Sequence, residues 1–284
     1  MTDVQMANEK SRRLRELVLA REILVMPGAW DVLSAVLFEH LGFAAVQCSS
    51  SAIAAVLGYP DGEVIGRERT AQMTRDIAAA VSVPVNADGE AGYGGPDQIG
   101  ETVRALVAAG AAGMNLEDSV PGTRTLAEIP AQLEKIAAFM QAKRELGSEF
   151  FLNARVDAFA AMADDRRAAL AEAIRRGNAY AQAGADCIFF LNAVTHDEIA
   201  TLVKEVSAPV SVFAVAETPP VFELQELGVA RVSYGSGFLR VALGALIRFA
   251  EGVRDRGTHG ALQEAMPGAE LQRILRERGG PASC

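Results

Sequence analysis

The chain has 284 residues and a mass of 30.0 kDa, little more than one α/β barrel of roughly 250 residues requires, so a single domain over 1–284 is expected rather than two. Half the residues are hydrophobic and 22% are charged, which supplies enough apolar surface to offset ordering entropy and excludes disorder along most of the length. A formal charge of −9, with no Lys/Arg cluster interleaved with aromatics, argues against a nucleic-acid partner.

In chain order, residues 1–22 carry a predicted helix around NEKSRRLRELVLARE, with Leu14, Leu17 and Val18 on one face, which would plug the bottom of a barrel. Short β-branched or aromatic runs then alternate eight times with longer stretches of helical period. Strands are predicted to begin near Ile23, Phe43, Val83, Gly113, Phe150, Asp186, Pro209 and Ala230. Such alternation implies parallel strands joined by helical crossovers, and eight units suggest an α/β fold of the (β/α)8 TIM-type barrel class. An open doubly wound sheet is the alternative, but PGAWD after the first strand is not a Gly-rich phosphate fingerprint. Asp165 marks a helix start, and Gly110, Gly184 and Gly228 mark helix ends.

Residues 237–284 contain two further helical stretches separated near Gly257 to Gly260. This surplus of helix predicts a homo-oligomer, dimer or tetramer, with the C-terminal segment at the subunit interface. Cys48, Cys187 and Cys284 form no CxxC, which fits a reducing compartment and argues against structural zinc. Residues 1–10 hold Asp3, Glu9 and Lys10 and no apolar core, and no apolar run approaches the ~18 residues of a membrane span. A cytoplasmic protein with no membrane partner is the expectation.

Barrel chemistry sits at the carboxyl ends of the strands, and polar residues recur there. Trp30 and Asp31 end the first strand, Ser49, Ser50 and Ser51 the second, Asn86, Asp88 and Glu90 the third, and Asn115, Glu117 and Asp118 the fourth. Asn153, Arg155 and Asp157 follow from the fifth strand, and Ser233, Tyr234 and Ser236 from the eighth. Acidic groups around one central Arg suggest a hard divalent cation, Mg²⁺ or Mn²⁺, beside an anionic small-molecule substrate. Helix capping is the competing reading for Asp88 and the serines, whereas Glu117 caps poorly and points more to function. Arg155 needs an anion, either a structural carboxylate or a substrate. Cys48 reads as a small buried hydrophobe, and His40, His196 and His259 offer no convincing general base.

The blocks PGAWDVLSA, SSSAIAAVLGYPDGE, VPVNADGEAGYG, AAGMNLED, FLNARVDAF, AYAQAGADCIFF and GVARVSYGS together resemble the isocitrate lyase and phosphoenolpyruvate mutase superfamily, from about residue 23 to 250. The resemblance implies a barrel whose final helix is exchanged between subunits, and an Mg²⁺ site for a 2-oxo acid whose pyruvate-like enolate is stabilised while an adjacent C–C or C–P bond is broken or made. Carried over by position, it implies Asp61, Asp88 and Glu117 at the metal, Ser49, Ser50 and Ser51 at a substrate carboxylate, and Arg155 at a second anionic group. Trp30 and Asn153 complete the expected substrate pocket. Asn86 departs from the family, which often carries a carboxylate there; it offers a neutral carbonyl but no charge, so either Asp88 moves into direct coordination or the ion binds more weakly, with Glu90 a candidate to compensate.

The mobile gate departs further. The KKCGH-like stretch of the isocitrate and methylisocitrate lyases is replaced by EDSVPGTRTLAEI, where Arg124 is the basic candidate for catalysis beside Arg155 and Glu117. Without the gate cysteine, the resemblance implies a metal-dependent lyase of a small 2-oxo dicarboxylate, oxaloacetate decarboxylation being the simplest case. The alternatives are a C–P enzyme, such as a carboxyphosphonoenolpyruvate or phosphoenolpyruvate mutase or a phosphonopyruvate hydrolase, a 2-methylisocitrate lyase working without the cysteine, and a non-catalytic 2-oxo acid binding protein.

Overall fold

Among the described residues nine parallel strands form one sheet: β1 (Leu24–Met26), β2 (Gly28–Ala29), β3 (Val46–Cys48), β4 (Val85–Asp88), β5 (Gly113–Glu117), β6 (Phe151–Val156), β7 (Cys187–Phe190), β8 (Val210–Phe213) and β9 (Arg231–Ser233). The structure, a computed structural model, describes residues 3–277. Residues 1–2 and 278–284, with Cys284 and the outer ends of the predicted 1–22 and 237–284 segments, lie outside the described residues.

β1 and β2 are two halves of one barrel strand, interrupted at Pro27, which has no N–H to give a ladder. The first half pairs with β9 and the second with β3, and Pro27 still accepts from the Gln47 N–H at 2.9 Å. The ring is therefore nearly closed, and its architecture is that of a (β/α)8 barrel, with every predicted strand start within three residues of an observed one.

Helices cover the outside of the ring because each buries one apolar stripe against the strands. Val103, Leu106, Phe139, Ala173 and Leu202 from four of them pack against outward residues such as Met114, Leu152, Ile188 and Val212. Local signals set their limits. Asp165 accepts from the Ala168 N–H at 3.0 Å to start helix Arg166–Gln182, and Gly110, Gly184 and Gly228 take φ of 83°, 105° and 88° in the turns that follow helices.

The helix Asp3–Val18 lays Leu14 and Val18 against Leu24, Met26, Ala45, Ala112, Phe151 and Cys187 at the amino-terminal ends of the strands. That end of the barrel is sealed by apolar contact, which leaves the carboxyl end for chemistry. After β9 runs the helix Gly237–Arg256, ended by Gly257 at φ 62°, then a 3₁₀ turn Gly260–Glu264 and the helix Gly268–Glu277. Ile274 of the last helix is buried with Val36, Phe38 and Ile77. No helix among the described residues is long and apolar enough to cross a membrane.

Candidate active site

At the carboxyl ends of the strands a cavity of about 190 Å³ is lined by Gln47, Cys48, Ser49, Ser50, Ser51, Asp61, Asp88, Asn115, Arg155, Phe189, Leu191, Asn192, Phe213, Ser233, Gly235 and Ser236. Strand alternation selects them: inward residues two apart on one strand stack in successive layers, so Asp88 stands above Asn86, Arg155 above Asn153 and Ser233 above Arg231.

Arg155 is the one guanidinium lining this space. Its Nη1 lies 2.6 Å from Glu117 Oε2 and its Nε donates to Asp157 Oδ1 at 2.9 Å, while Nη2 has no hydrogen bond among the described residues. Asp88 accepts from the Ser50 N–H at 3.2 Å and from the Glu90 N–H at 3.4 Å. Ser49 caps the helix Ser50–Val56, its Oγ accepting from the Ala52 N–H at 3.4 Å. The serine run is thus a helix cap and a cavity wall at once. Asp61 stands at the mouth, open to solvent on one side, on a loop that approaches the predicted gate: a Cβ on Gly62 would lie 3.4 Å from the Gly122 nitrogen.

Negative charge dominates the site. Burial, opposed by Arg155 but reinforced by Asp157 and Asp88, raises the Glu117 carboxyl to about 8. Burial and Asp88 raise Glu90 to about 7, although Tyr93 Oη donates to it at 2.8 Å. Glu90 does not line the cavity; its other oxygen accepts from the Glu63 N–H, and Glu63 in turn accepts from the Tyr93 N–H at 2.7 Å. Glu63, Glu90 and Tyr93 all take positive φ, at 66°, 44° and 57°, so this clamp holds three non-glycine residues in a costly conformation beside the site.

A hard divalent cation fits this donor set. Asp61 and Asp88 offer carboxylate oxygens on the cavity wall, and Glu117, which does not line the cavity, lies beside it on Arg155, its carboxyl raised chiefly by burial. Among the described residues no three His, Cys, Asp or Glu side chains form a ready-made cage. The two cavity-wall carboxylates, Asp61 and Asp88, suit Mg²⁺, which takes one or two carboxylates directly and keeps water on its other positions.

Other expected residues fall elsewhere. Asn86 and Asn153 lie one layer beneath the cavity, fully buried: Asn86 Nδ2 donates to Gln47 Oε1 and Asn115 Oδ1, both at 3.1 Å, and Asn153 Nδ2 donates to Asn115 Oδ1 at 2.7 Å. Trp30 does not line the cavity; its ring packs edge-on against Phe38 with centroids 6.4 Å apart. Asp31 caps the helix Val32–His40, accepting from the Ser34 N–H at 2.7 Å. Arg124 is exposed and lines a separate shallow depression with Phe159, Arg166 and Asn192. Tyr234 turns away and packs on Phe238.

Glu117 and Asp118 part company. Asp118 is fully buried, accepting from Arg176 Nη1 at 3.0 Å, Tyr180 Oη at 2.8 Å and the Asp157 N–H at 2.9 Å. Cys48 lines the cavity with its thiol pushed up to about 12 by burial, so it is neutral. Sequence reasoning missed Phe189, Leu191, Phe213 and Asn192; only Asn192, left-handed at φ 61° just past β7, carries a local signal, because apolar strand residues look alike whether they face the cavity or the helices.

A nearly closed parallel barrel with strand-end carboxylates around one arginine defines a TIM-barrel enzyme. The phosphoenolpyruvate phosphomutase family profile matches residues 14–254, and the chain belongs to this family, within the isocitrate lyase/phosphoenolpyruvate mutase superfamily of lyases and mutases, whose members are generally Mg²⁺-dependent. It is 34% identical to the petal death protein of Dianthus caryophyllus over 86% of this chain and 79% of that one. It is 30% identical to 2-methylisocitrate lyase of Halalkalibacterium halodurans, over 91% and 86% of the two chains. The structure of oxaloacetate acetylhydrolase in complex with the inhibitor 3,3-difluorooxalacetate matches with a TM-score of 0.83 at 25% identity, covering 96% of this chain and 98% of that one.

Proposed function

We propose that the enzyme is a Mg²⁺- or Mn²⁺-dependent lyase of a small 2-oxo dicarboxylic acid, with oxaloacetate decarboxylation as its simplest reaction. One observation carries this reading: a 190 Å³ cavity offers a single guanidinium beside oxygen donors and holds no ionised thiol. Space and charge suit a four-carbon dicarboxylate. Similarity to a structure whose ligand is a difluoro analogue of oxaloacetate supports the same substrate class.

A bound divalent ion supplies Lewis-acid stabilisation of negative charge on the 2-oxo group. The chain's own residues do the rest. Arg155 directs Nη2 to the distal carboxylate, the Ser49–Ser51 turn faces the other, and Phe189, Leu191 and Phe213 keep water off the substrate. The C–C bond to the distal carboxylate breaks, its electrons pass into the 2-oxo group, carbon dioxide leaves, and a proton from solvent at the Asp61 mouth returns to the carbon.

The test incubates oxaloacetate, 2-methylisocitrate and phosphonopyruvate separately, with Mg²⁺ or with chelator, and follows products by NMR against an Arg155→Ala variant and an enzyme-free blank. Mg²⁺-dependent pyruvate from oxaloacetate, lost in Arg155→Ala, is expected. Oxalate and acetate from oxaloacetate would assign hydrolysis instead. Turnover of phosphonopyruvate or 2-methylisocitrate alone would replace the proposed substrate class.

A further inference from the structure

Beneath the cavity the barrel interior is polar where such barrels usually carry packed branched aliphatics. Gln47 and Asn115 are buried at the cavity floor and Asn86, Asn153, Ser211 and Arg231 beneath it, and among the described residues five atoms of the latter four have no partner: Asn86 Oδ1, Asn153 Oδ1, Ser211 Oγ and the Nε and Nη1 of Arg231. Arg231 is the anomaly among them. A fully buried guanidinium is normally paired, because an isolated buried charge is costly. Among the described residues Arg231 has no carboxylate within ion-pair distance, and its one side-chain hydrogen bond runs from Nη2 to Gln47 Oε1. By contrast the buried Arg176 holds two carboxylates, Asp118 and Glu172.

Its position gives this charge a target. Gln47, which Arg231 grips, lines the cavity, and so does Ser233, two residues further along β9. At about 3.3 Å of rise per strand residue, the guanidinium lies one side-chain layer, roughly 7 Å, below the floor. After the neighbouring Cys187, Asp88 on the cavity wall is the carboxylate whose field reaches it. Burial lowers Arg231 only to about 10, so it stays protonated at neutral pH. Low-dielectric surroundings leave such a charge little screened, and it acts on whatever enters above.

We propose that Arg231 is a specificity-determining charge under the floor of the cavity, which strengthens the hold on an anionic substrate and weakens the hold on the divalent cation. The proposal rests on the reading of the cavity as a cation and 2-oxo acid site. It also gives Asn86 a consequence: with a neutral amide at this level, nothing in the layer cancels the Arg231 charge before it reaches the cavity.

The test measures two affinities in the wild type and in Arg231→Met and Arg231→Lys: Mn²⁺ by the loss of its free EPR signal, and oxalate by calorimetry at saturating Mg²⁺. Arg231→Met is expected to bind Mn²⁺ about tenfold more tightly and oxalate about tenfold more weakly, while Arg231→Lys stays near wild type in both. Opposite signs for cation and anion are the signature of a charge. A merely structural arginine would weaken both ligands together, and that result, or unchanged affinities in Arg231→Met, overturns the proposal. Should Arg231→Met fail to fold, Arg231→Gln removes the charge while keeping a donor for Gln47, with the same outcomes expected. If the wild type binds no Mn²⁺, the function proposed above falls; oxalate titration of the metal-free proteins then decides, equal affinities overturning the role of Arg231.

Discussion

In the proposed site Glu117 is the residue for which a cation and Arg155 would compete, because it joins Arg155 at 2.6 Å while facing the carboxylates of Asp157 and Asp88. Its carboxyl, raised by burial to about 8, and that of Glu90, raised to about 7, bind protons in the folded protein over a range where the unfolded chain, with carboxylates at about 4.3, does not. The folded state therefore holds more protons between about pH 4.5 and 8, and stability is lost as pH rises through that window. The metal-free protein is expected to show a melting temperature that falls from pH 5 to pH 8.5, with Mg²⁺ flattening the fall and Glu117→Gln making it shallower; a profile that rises or stays level would refute the assignment. Glu117→Gln should also remove Mg²⁺-dependent turnover. Arg155→Lys keeps the charge but cannot reach Glu117, Asp157 and a substrate together, so a loss of about 10–100-fold in kcat/KM is expected, the worth of a charge-assisted hydrogen bond.

At the scale of elements, strand ends place the site but buried pairs hold it. Asp157, which orients Arg155 from the end of β6, donates its backbone N–H to Asp118 just past the end of β5, and Asp118 is fixed by Arg176 and Tyr180 of the helix Arg166–Gln182. Tyr180→Phe removes one hydrogen bond and should cost about 1 kcal/mol, whereas Arg176→Leu strands the buried Asp118 charge and should cost roughly 3–5 kcal/mol by urea denaturation. Equal costs would show that the network is not charged. None of this pairing was legible in the sequence, where Glu117 and Asp118 look equivalent; a strand alternates its faces, and the partner of the second acid comes from a helix about sixty residues away. What was legible is what repeats locally: strand starts, the Asp165 cap, the glycine turns, and the strand-end acids with Arg155. Trp30 and Asn153 were misplaced because adjacency to a strand end does not say which layer a side chain occupies. The gate segment reads as a loop and is ordered as one, with Val120 N–H donating to Thr125 O at 2.8 Å and Ala127 N–H to Asp118 O at 2.7 Å, a closure that leaves Arg124 outside the cavity.

For the whole molecule, the question is what the helix Gly237–Arg256 packs against. Its neighbours in the barrel bury Leu239, while Val241, Leu246 and Ile247 are 75%, 59% and 55% exposed, and Leu262 and Met266 extend the apolar surface past the helix end. Scattered apolar residues need no explanation, but several on one helix and the turn after it suit an interaction surface, and we propose that this is one. A barrel that keeps its catalytic face open and its amino-terminal end sealed by Asp3–Val18 has this edge left for association. The protein is therefore expected to scatter light as a dimer or larger, well above the 30.0 kDa of one chain, at micromolar concentration. Leu246→Glu with Ile247→Glu should shift the mass toward 30.0 kDa without unfolding the barrel, because both side chains are exposed in a single chain. A wild type of 30.0 kDa would refute the interface, and an oligomer unmoved by the double substitution would place it elsewhere. Since Ser233, Gly235 and Ser236 line the cavity just before this helix begins, an interface formed by it braces the floor of the active site, and dissociation is expected to lower kcat along with mass.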